Sequence, residues 1–267
     1  MSAAPTLPVV SFGPSPVSLE EVAEIASGRA RVALDAGLDY RRHLEASRAS
    51  LERQLRAGRA IYGVTTGVGE SCETEVAMDL ATSMAVNLLR LHGCGTGALL
   101  SDEESSAVMA VRLASLARGY SGVRPVVLER LVDLLNHRIL PRIPSEGSVG
   151  ASGDLTPLSY VAAVLIGEGE VSFRGQAMPA AAALAAAELA PLTLLPQWEH
   201  GIVPVCGSYR ARPCEHFGKT IGGPPGVASL VYGCTCFSIV VNTKWPLEFP
   251  TEAAFALKAY RSGRYRT

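Results

Sequence analysis

Apolar positions recur at three- and four-residue spacing through most of the first 190 residues, and this pattern predicts a mainly helical chain. "SLEE" (residues 18–21) has the serine and glutamate of a capping box and opens a short helix that ends near Ser27-Gly28. "ARVALD" reads as a short strand, and residues 39–56 read as a polar amphipathic helix with apolar Leu44, Leu51 and Leu55. "AIYGVTTGVGE" (residues 60–70) packs three glycines and two threonines into seven residues, which predicts a loop. Helical pattern returns over residues 73–91. Ser101 and Glu104 form a second capping box, opening a helix to about Arg118, and Pro125 starts another that runs to about Leu140. In "SEGSVGASGDLTPLSY" (residues 145–160) small residues without bulk lead straight into a helix start at Asp154, and that helix runs to about Gly167. "VSFRGQAM" reads as a β-turn with extended flanks, and an alanine-rich helix follows and ends at Pro191.

Composition agrees with this picture up to about Pro196 and then departs from it. The chain has 267 residues, 48% apolar and 18% charged, enough to bury a large core. Alanine is abundant and aromatics make up only 6%, which favours close-packed helices. A net charge of −1 gives no general attraction to nucleic acid or membrane. Residues 1–196 hold 16 Lys and Arg against 21 Asp and Glu; residues 197–267 hold 8 against 4. Four of the six cysteines lie in that last segment, among many glycines and prolines. We therefore divide the chain into an N-terminal arm (1–13), a helical region (14–196) and a divergent tail (197–267) whose order the pattern does not define. The abrupt change reads as an out-of-frame or otherwise unrelated continuation. The first residues lack a basic segment followed by a long apolar run, and the cysteines are unevenly placed. Together these read as a reduced, cytoplasmic protein. The alanine-rich run carries Glu188 and ends at Pro191, so it reads as a buried helix and not a membrane span.

Ala151-Ser152-Gly153 admits two readings. It is a common tripeptide in an alanine-rich chain, and it suits a turn feeding a helix cap. It is also a tripeptide that can cyclise. In a tight bend the Gly153 nitrogen reaches the Ala151 carbonyl, and only glycine permits so close an approach. Loss of that oxygen as water closes a five-membered ring, and loss of the Ser152 hydroxyl as a second water leaves an exocyclic alkene. The positive end of the helix that follows favours negative charge developing there. Other readings are weaker. "GVTTGVG" and "GCGTG" (residues 93–97) lack the Gly-Lys-Ser/Thr and the strand-to-helix unit of a phosphate cradle. Cys206, Cys214, His216, Cys234 and Cys236 do not have the spacing of a zinc finger or ribbon, so free thiols and no metal are expected.

"GSVGASGDLTPLSYVAAVLIGEG" closely resembles the segment of the histidine, phenylalanine and tyrosine ammonia-lyases and aromatic aminomutases that forms methylidene-imidazolone (MIO). "YGVTTGVGE" resembles the family's "YGVNTGFG" loop. "NLLRLHGCGTG", "RLASLARGYSGVRP" and "LLNHRILPRIPSEGSVG" follow in the family's order and spacing, over roughly residues 14–196. The resemblance implies the N-terminal part of the helical-bundle ammonia-lyase fold, with glycine-rich loops and a few short strands. It implies that Ala151, Ser152 and Gly153 form MIO without an external cofactor, supported by Asp154. It also implies that Tyr62 removes the β-proton of an amino acid while ammonia leaves, giving an α,β-unsaturated acid. Gly63, Gly67 and Gly69 would let the loop close as a lid, with Gly69 and His92 against the substrate. A histidine at position 92 suits histidine lyases and some tyrosine-handling enzymes, but Leu91 stands where histidine lyases often have serine. The substrate is thus an aromatic amino acid: histidine, tyrosine or phenylalanine. A 2,3-aminomutase or an inactive fragment is the alternative. The family forms homotetramers through long central helices and continues with "KEGLALxNGT" where this chain reads "QWEHGIVPVCGSYR". That half, with its interface and carboxylate-binding residues, has no counterpart in the sequence given.

Overall fold

The computed structural model describes residues 7–61, 63–68, 71, 73–77, 80–147 and 155–193, together with the backbone of 227–232 and 237–242. About half of the elements are helices, and they carry most of the core. β1 (Val9–Phe12), α1 (Leu19–Ala26) and β2 (Arg31–Leu34) form a small parallel unit, with Val10 opposite Val32 and Phe12 opposite Leu34. The capping box is present in both halves: Ser18 Oγ accepts from the Glu21 amide and the Glu21 carboxylate from the Ser18 amide. Part of the expected arm is therefore a strand. Val9–Phe12 pairs with β2 and Phe12 is wholly buried, because alternate side chains of a strand share one face and here Val10 and Phe12 face the core. On the far side of β2, the Asn136 side chain bonds both the amide and the carbonyl of Val32 at 2.9 Å and so takes the place of a neighbouring strand.

α2 (Leu38–Arg56) follows, with Tyr40 and Leu44 turned inward and the rest partly or fully exposed. The centre of the core is α4 (Asp102–Ala117) against α5 (Pro125–His137), where Met109, Leu113, Leu116, Leu128, Leu131 and Leu134 have no exposed surface. Ser101 and Glu104 cap α4 as predicted, and Pro125 occupies the first turn of α5. α5 stops short of the predicted Leu140. Arg138 turns left-handed (φ 54°), and the chain continues as β4 (Leu140–Pro141), paired with β6. From that turn the Arg138 guanidinium donates to the carbonyls of Ile25 and Ala26, placing a cation at the C-terminus of α1.

α6 (Leu155–Leu165) is buried on nearly every side. β6 (Glu170–Phe173) and β7 (Gln176–Pro179) form the predicted hairpin, with Arg174 and Gly175 both left-handed, as a two-residue type I′ turn requires. α7 (Ala180–Ala186) ends before Pro191, and the chain beyond is tied back by Leu192 N to Leu165 O and by Arg130 to the Ala190 carbonyl. In the tail, β8 (Val227–Tyr232) and β9 (Phe237–Asn242) form an antiparallel hairpin that the helical-period reading missed. The signal was available in two runs rich in Val, Ile, Phe and Tyr around "GCTC". No helix among the described residues is long and apolar enough to cross a membrane.

Candidate active site

Four elements converge where the glycine-rich segment meets α6. α3 (Ala81–His92) starts eight residues later than predicted, because residues 74–76 pair with the preceding loop instead. Val76 N donates to Thr65 O, Gly67 N to Thr74 O, and Thr66 bridges Glu75. The two threonines brace the inside of that loop: Ile61 N donates to Thr65 Oγ1 at 2.8 Å and Gly63 N to Thr66 Oγ1 at 3.2 Å. Tyr62 and Gly69, the predicted base and substrate contact, lie outside the described residues, as do Ala151, Ser152, Gly153 and Asp154.

What surrounds residues 148–154 is described. β3 (Thr96–Leu99) pairs antiparallel with β5 (Pro144–Glu146), with Thr96 opposite Glu146. The strands bring "HGCGTG" alongside the approach to the glycine segment, an arrangement that neither loop's sequence discloses alone. A Cβ built on Gly95 would stand 3.0 Å from Pro144 Cβ and 3.1 Å from Thr156 Cγ2. One built on Gly147 would stand 2.6 Å from Thr156 Cγ2 and 2.7 Å from Thr156 Cβ. A side chain at Gly147 would force Thr156 to move, and one at Gly95 would be tight against Pro144 and Thr156. The chain therefore enters and leaves the 148–154 segment at nearly one point, with Thr156 wedged against both glycines. Thr156 is fully buried, and its Oγ1 has no hydrogen-bond partner among the described residues.

His92 closes α3 beside this frame. The next carbonyl, Gly93 O, accepts from Tyr160 OH of α6 at 3.3 Å. The Arg90 guanidinium grips the Glu168 carboxylate through two bonds, of 2.6 and 3.1 Å, and so ties the end of α3 to the turn after α6. That pair is exposed, so solvent screens it and it contributes little to stability. The His92 ring is half-buried. Burial pushes its pKa below the ordinary histidine value, and the Leu88 carbonyl opposes this more weakly; its Nδ1 is buried with no partner meeting hydrogen-bond geometry among the described residues. The shift favours the uncharged ring. The candidate zinc ligands Cys206, Cys214, His216, Cys234 and Cys236 lie outside the described residues. A cavity of about 320 Å³ lined by Pro14, Asp39, Tyr40, His43, Arg118 and Tyr120 includes no residue of either glycine loop.

The fold is the N-terminal part of a helical lyase fold with the glycine segment set at the start of a buried helix, and residues 17–203 match the family model described as aromatic amino acid lyase. The chain belongs to the aromatic amino acid lyase family of carbon–nitrogen lyases. It is similar to a histidine ammonia-lyase of Shouchella clausii, 46% identical over 165 residues, covering 62% of this chain and 33% of that protein. It is also similar to a histidine ammonia-lyase of Paracidovorax citrulli, 37% identical over 248 residues, covering 93% of this chain and 47% of that protein. The crystal structure of tyrosine aminomutase from Streptomyces globisporus superposes with a TM-score of 0.66 at 38% identity, covering 74% of this chain and 36% of that one. The chain thus spans about a third to a half of the length of these relatives. The Paracidovorax match leaves at most 19 of 267 residues uncovered, so it enters the segment after Pro196 in the reading frame given.

Proposed function

We propose that this chain carries the electrophile-forming half of an ammonia-lyase site for a free aromatic amino acid. The observation that carries the reading is the contact of Gly147 and Gly95 with Thr156, which brackets Ala151-Ser152-Gly153 between ends held together. The surroundings support a ring made from the main chain: Gly147 has no room for a Cβ beside Thr156, and the buried Thr156 hydroxyl has no partner among the described residues. When formed from Ala151, Ser152 and Gly153, MIO supplies an electrophile that turns the substrate amine into a leaving group. The chain's own residues do the rest. In this reading Tyr62 takes the proton from the substrate β-carbon. An ordinary tyrosine pKa near 10 makes it a weak base at neutral pH, so a neighbouring positive charge must favour the phenolate. Asp154 supports ring formation, and Gly69 lines the substrate. His92, uncharged because it is half-buried, meets the substrate ring as a neutral hydrogen-bonding partner and not as a cation.

Histidine is the first substrate to test, because the curated relatives above are named histidine ammonia-lyases at 46% and 37% identity. The aminomutase reading is the second, supported by the 38% identity to a tyrosine aminomutase. Incubating the purified chain separately with histidine, tyrosine and phenylalanine distinguishes them. Release of urocanate, coumarate or cinnamate with ammonia supports a lyase, whereas a β-amino acid supports an aminomutase. No turnover of any of the three contradicts activity in this chain.

A further inference from the structure

The end of α3 is tied to α6 and its following turn at three points, and their order sets a register. Arg90 holds Glu168, in the turn after α6, through two bonds. Gly93 O accepts from Tyr160 OH at 3.3 Å, and a Cβ on Gly93 would stand 3.9 Å from Ser159 Oγ. A Cβ on Gly95 would stand 3.1 Å from Thr156 Cγ2. As one side climbs from 90 to 95 the other descends from 168 to 156, so the two segments run antiparallel. Thr156 and Tyr160 lie one turn apart and use the same face of α6. His92 falls between the Arg90 and Gly93 ties. Gly93 is the C-cap of α3, and the last carbonyls of a helix have no partner within it. Tyr160 supplies one from a helix anchored in the core. Little else closes that last turn: Leu91 is 68% exposed, and the Arg90–Glu168 pair is screened by solvent.

We propose that Tyr160 is a positioning residue for His92: by holding the Gly93 carbonyl, its hydroxyl keeps the last turn of α3 closed and sets where the His92 ring stands relative to the start of α6. This rests on the reading above that His92 meets the substrate ring. Tyr160 acts through the backbone one residue beyond His92 and needs no contact with the substrate. The causes of the His92 pKa shift are burial and, against it, the Leu88 carbonyl. The charged groups beside it in the register, Arg90 and Glu168, are paired with each other. The titration of His92 therefore reports how well the ring is covered.

The test uses the whole 267-residue chain and follows the histidine ring signals by NMR through their titration range, with circular dichroism as the check on folding. His92→Gln identifies the His92 signal. Tyr160→Phe removes the hydroxyl and keeps the ring. In it the His92 pKa is expected to rise toward 6.5 while the titrations of His43 and His137 stay where they are. An unmoved His92 titration in folded Tyr160→Phe overturns the proposal, as does an equal shift of all three histidines, which a general loosening of the fold would give. Should Tyr160→Phe not fold, Tyr160→Leu takes its place and the same outcomes decide. Histidine affinity, measured by calorimetry, is expected to weaken about fivefold in Tyr160→Phe, the factor that one neutral hydrogen bond carries. Unchanged affinity beside a moved His92 titration overturns the link to substrate. A wild-type chain that binds none of histidine, tyrosine and phenylalanine contradicts the substrate reading itself. That failure is told apart because the His92 titration is read without ligand.

Discussion

Three side chains show how burial sets what a residue can do. Tyr40 is 4% exposed, and its hydroxyl has no hydrogen-bond partner among the described residues. Burial, with a smaller contribution from the Asp35 charge, pushes its pKa up to about 12. Tyr40→Phe removes the unpaired oxygen and keeps the shape. We expect it to leave stability unchanged or raise it by up to about 1 kcal/mol, read as an unchanged or higher urea midpoint with the same slope. A drop of 2 kcal/mol or more, on that scale, would mean the hydroxyl has a partner. His92 gives a pH dependence of definite sign. Its pKa in the folded chain lies below the ordinary 6.5, so the unfolded chain takes up this proton first as pH falls. Its contribution to stability is therefore complete above about 6.5 and declines as the solution is acidified through and below that value. His92→Gln should flatten that part of the stability–pH curve; superimposable curves would contradict the assignment. Thr156 is the third, wholly buried with a hydroxyl that has no hydrogen-bond partner among the described residues.

At the scale of elements, local chemistry was legible wherever a local rule decided the outcome. Ser18 with Glu21 and Ser101 with Glu104 marked helix starts that the structure realises bond for bond. The Arg174-Gly175 hairpin was equally plain. Ends and pairings were less so, because distant residues decide them. α5 ends early because Arg138 turns to cap α1 and Leu140 joins β6, neither of which periodicity along α5 can report. α3 begins late because Thr65 and Gly67 capture the backbone of residues 74–76. In the same way the surroundings of the candidate site were not legible. The sequence named the Ala151-Ser152-Gly153 tripeptide and His92, but not the contact of Gly95 and Gly147 with Thr156, which exists only after β3 and β5 have paired. The capping rule is quantitative. Ser101→Ala removes the cap of the helix at the centre of the core and should cost about 1 kcal/mol, within a range of roughly 0.5–2, measured as a fall in the urea midpoint. Ser101→Asp should recover most of it. Equal stability of all three chains would mean that α4 is held by packing alone.

At the scale of the whole molecule, the core of α4, α5 and α6 is continuous, and the site frame rests on it. Leu158, Val161 and Leu165 of α6 are buried in the same cluster as Leu128 and Leu131 of α5. α6 therefore presents its first turn to the glycine segment from a fixed base, and a loop whose ends meet at Thr156 is the consequence of that packing. The chain covers only a third to a half of its relatives' length, and in the proposed reading ring formation involves residues 151–153. The most direct measurement is the intact mass of the purified chain beside that of Ser152→Ala, with near-UV absorbance of both. The account predicts a wild-type mass short by two waters with a new near-UV band, and a Ser152→Ala chain without that band that has not lost the serine-derived water. A wild-type chain at its full unmodified mass, or a Ser152→Ala chain with the same band, contradicts it.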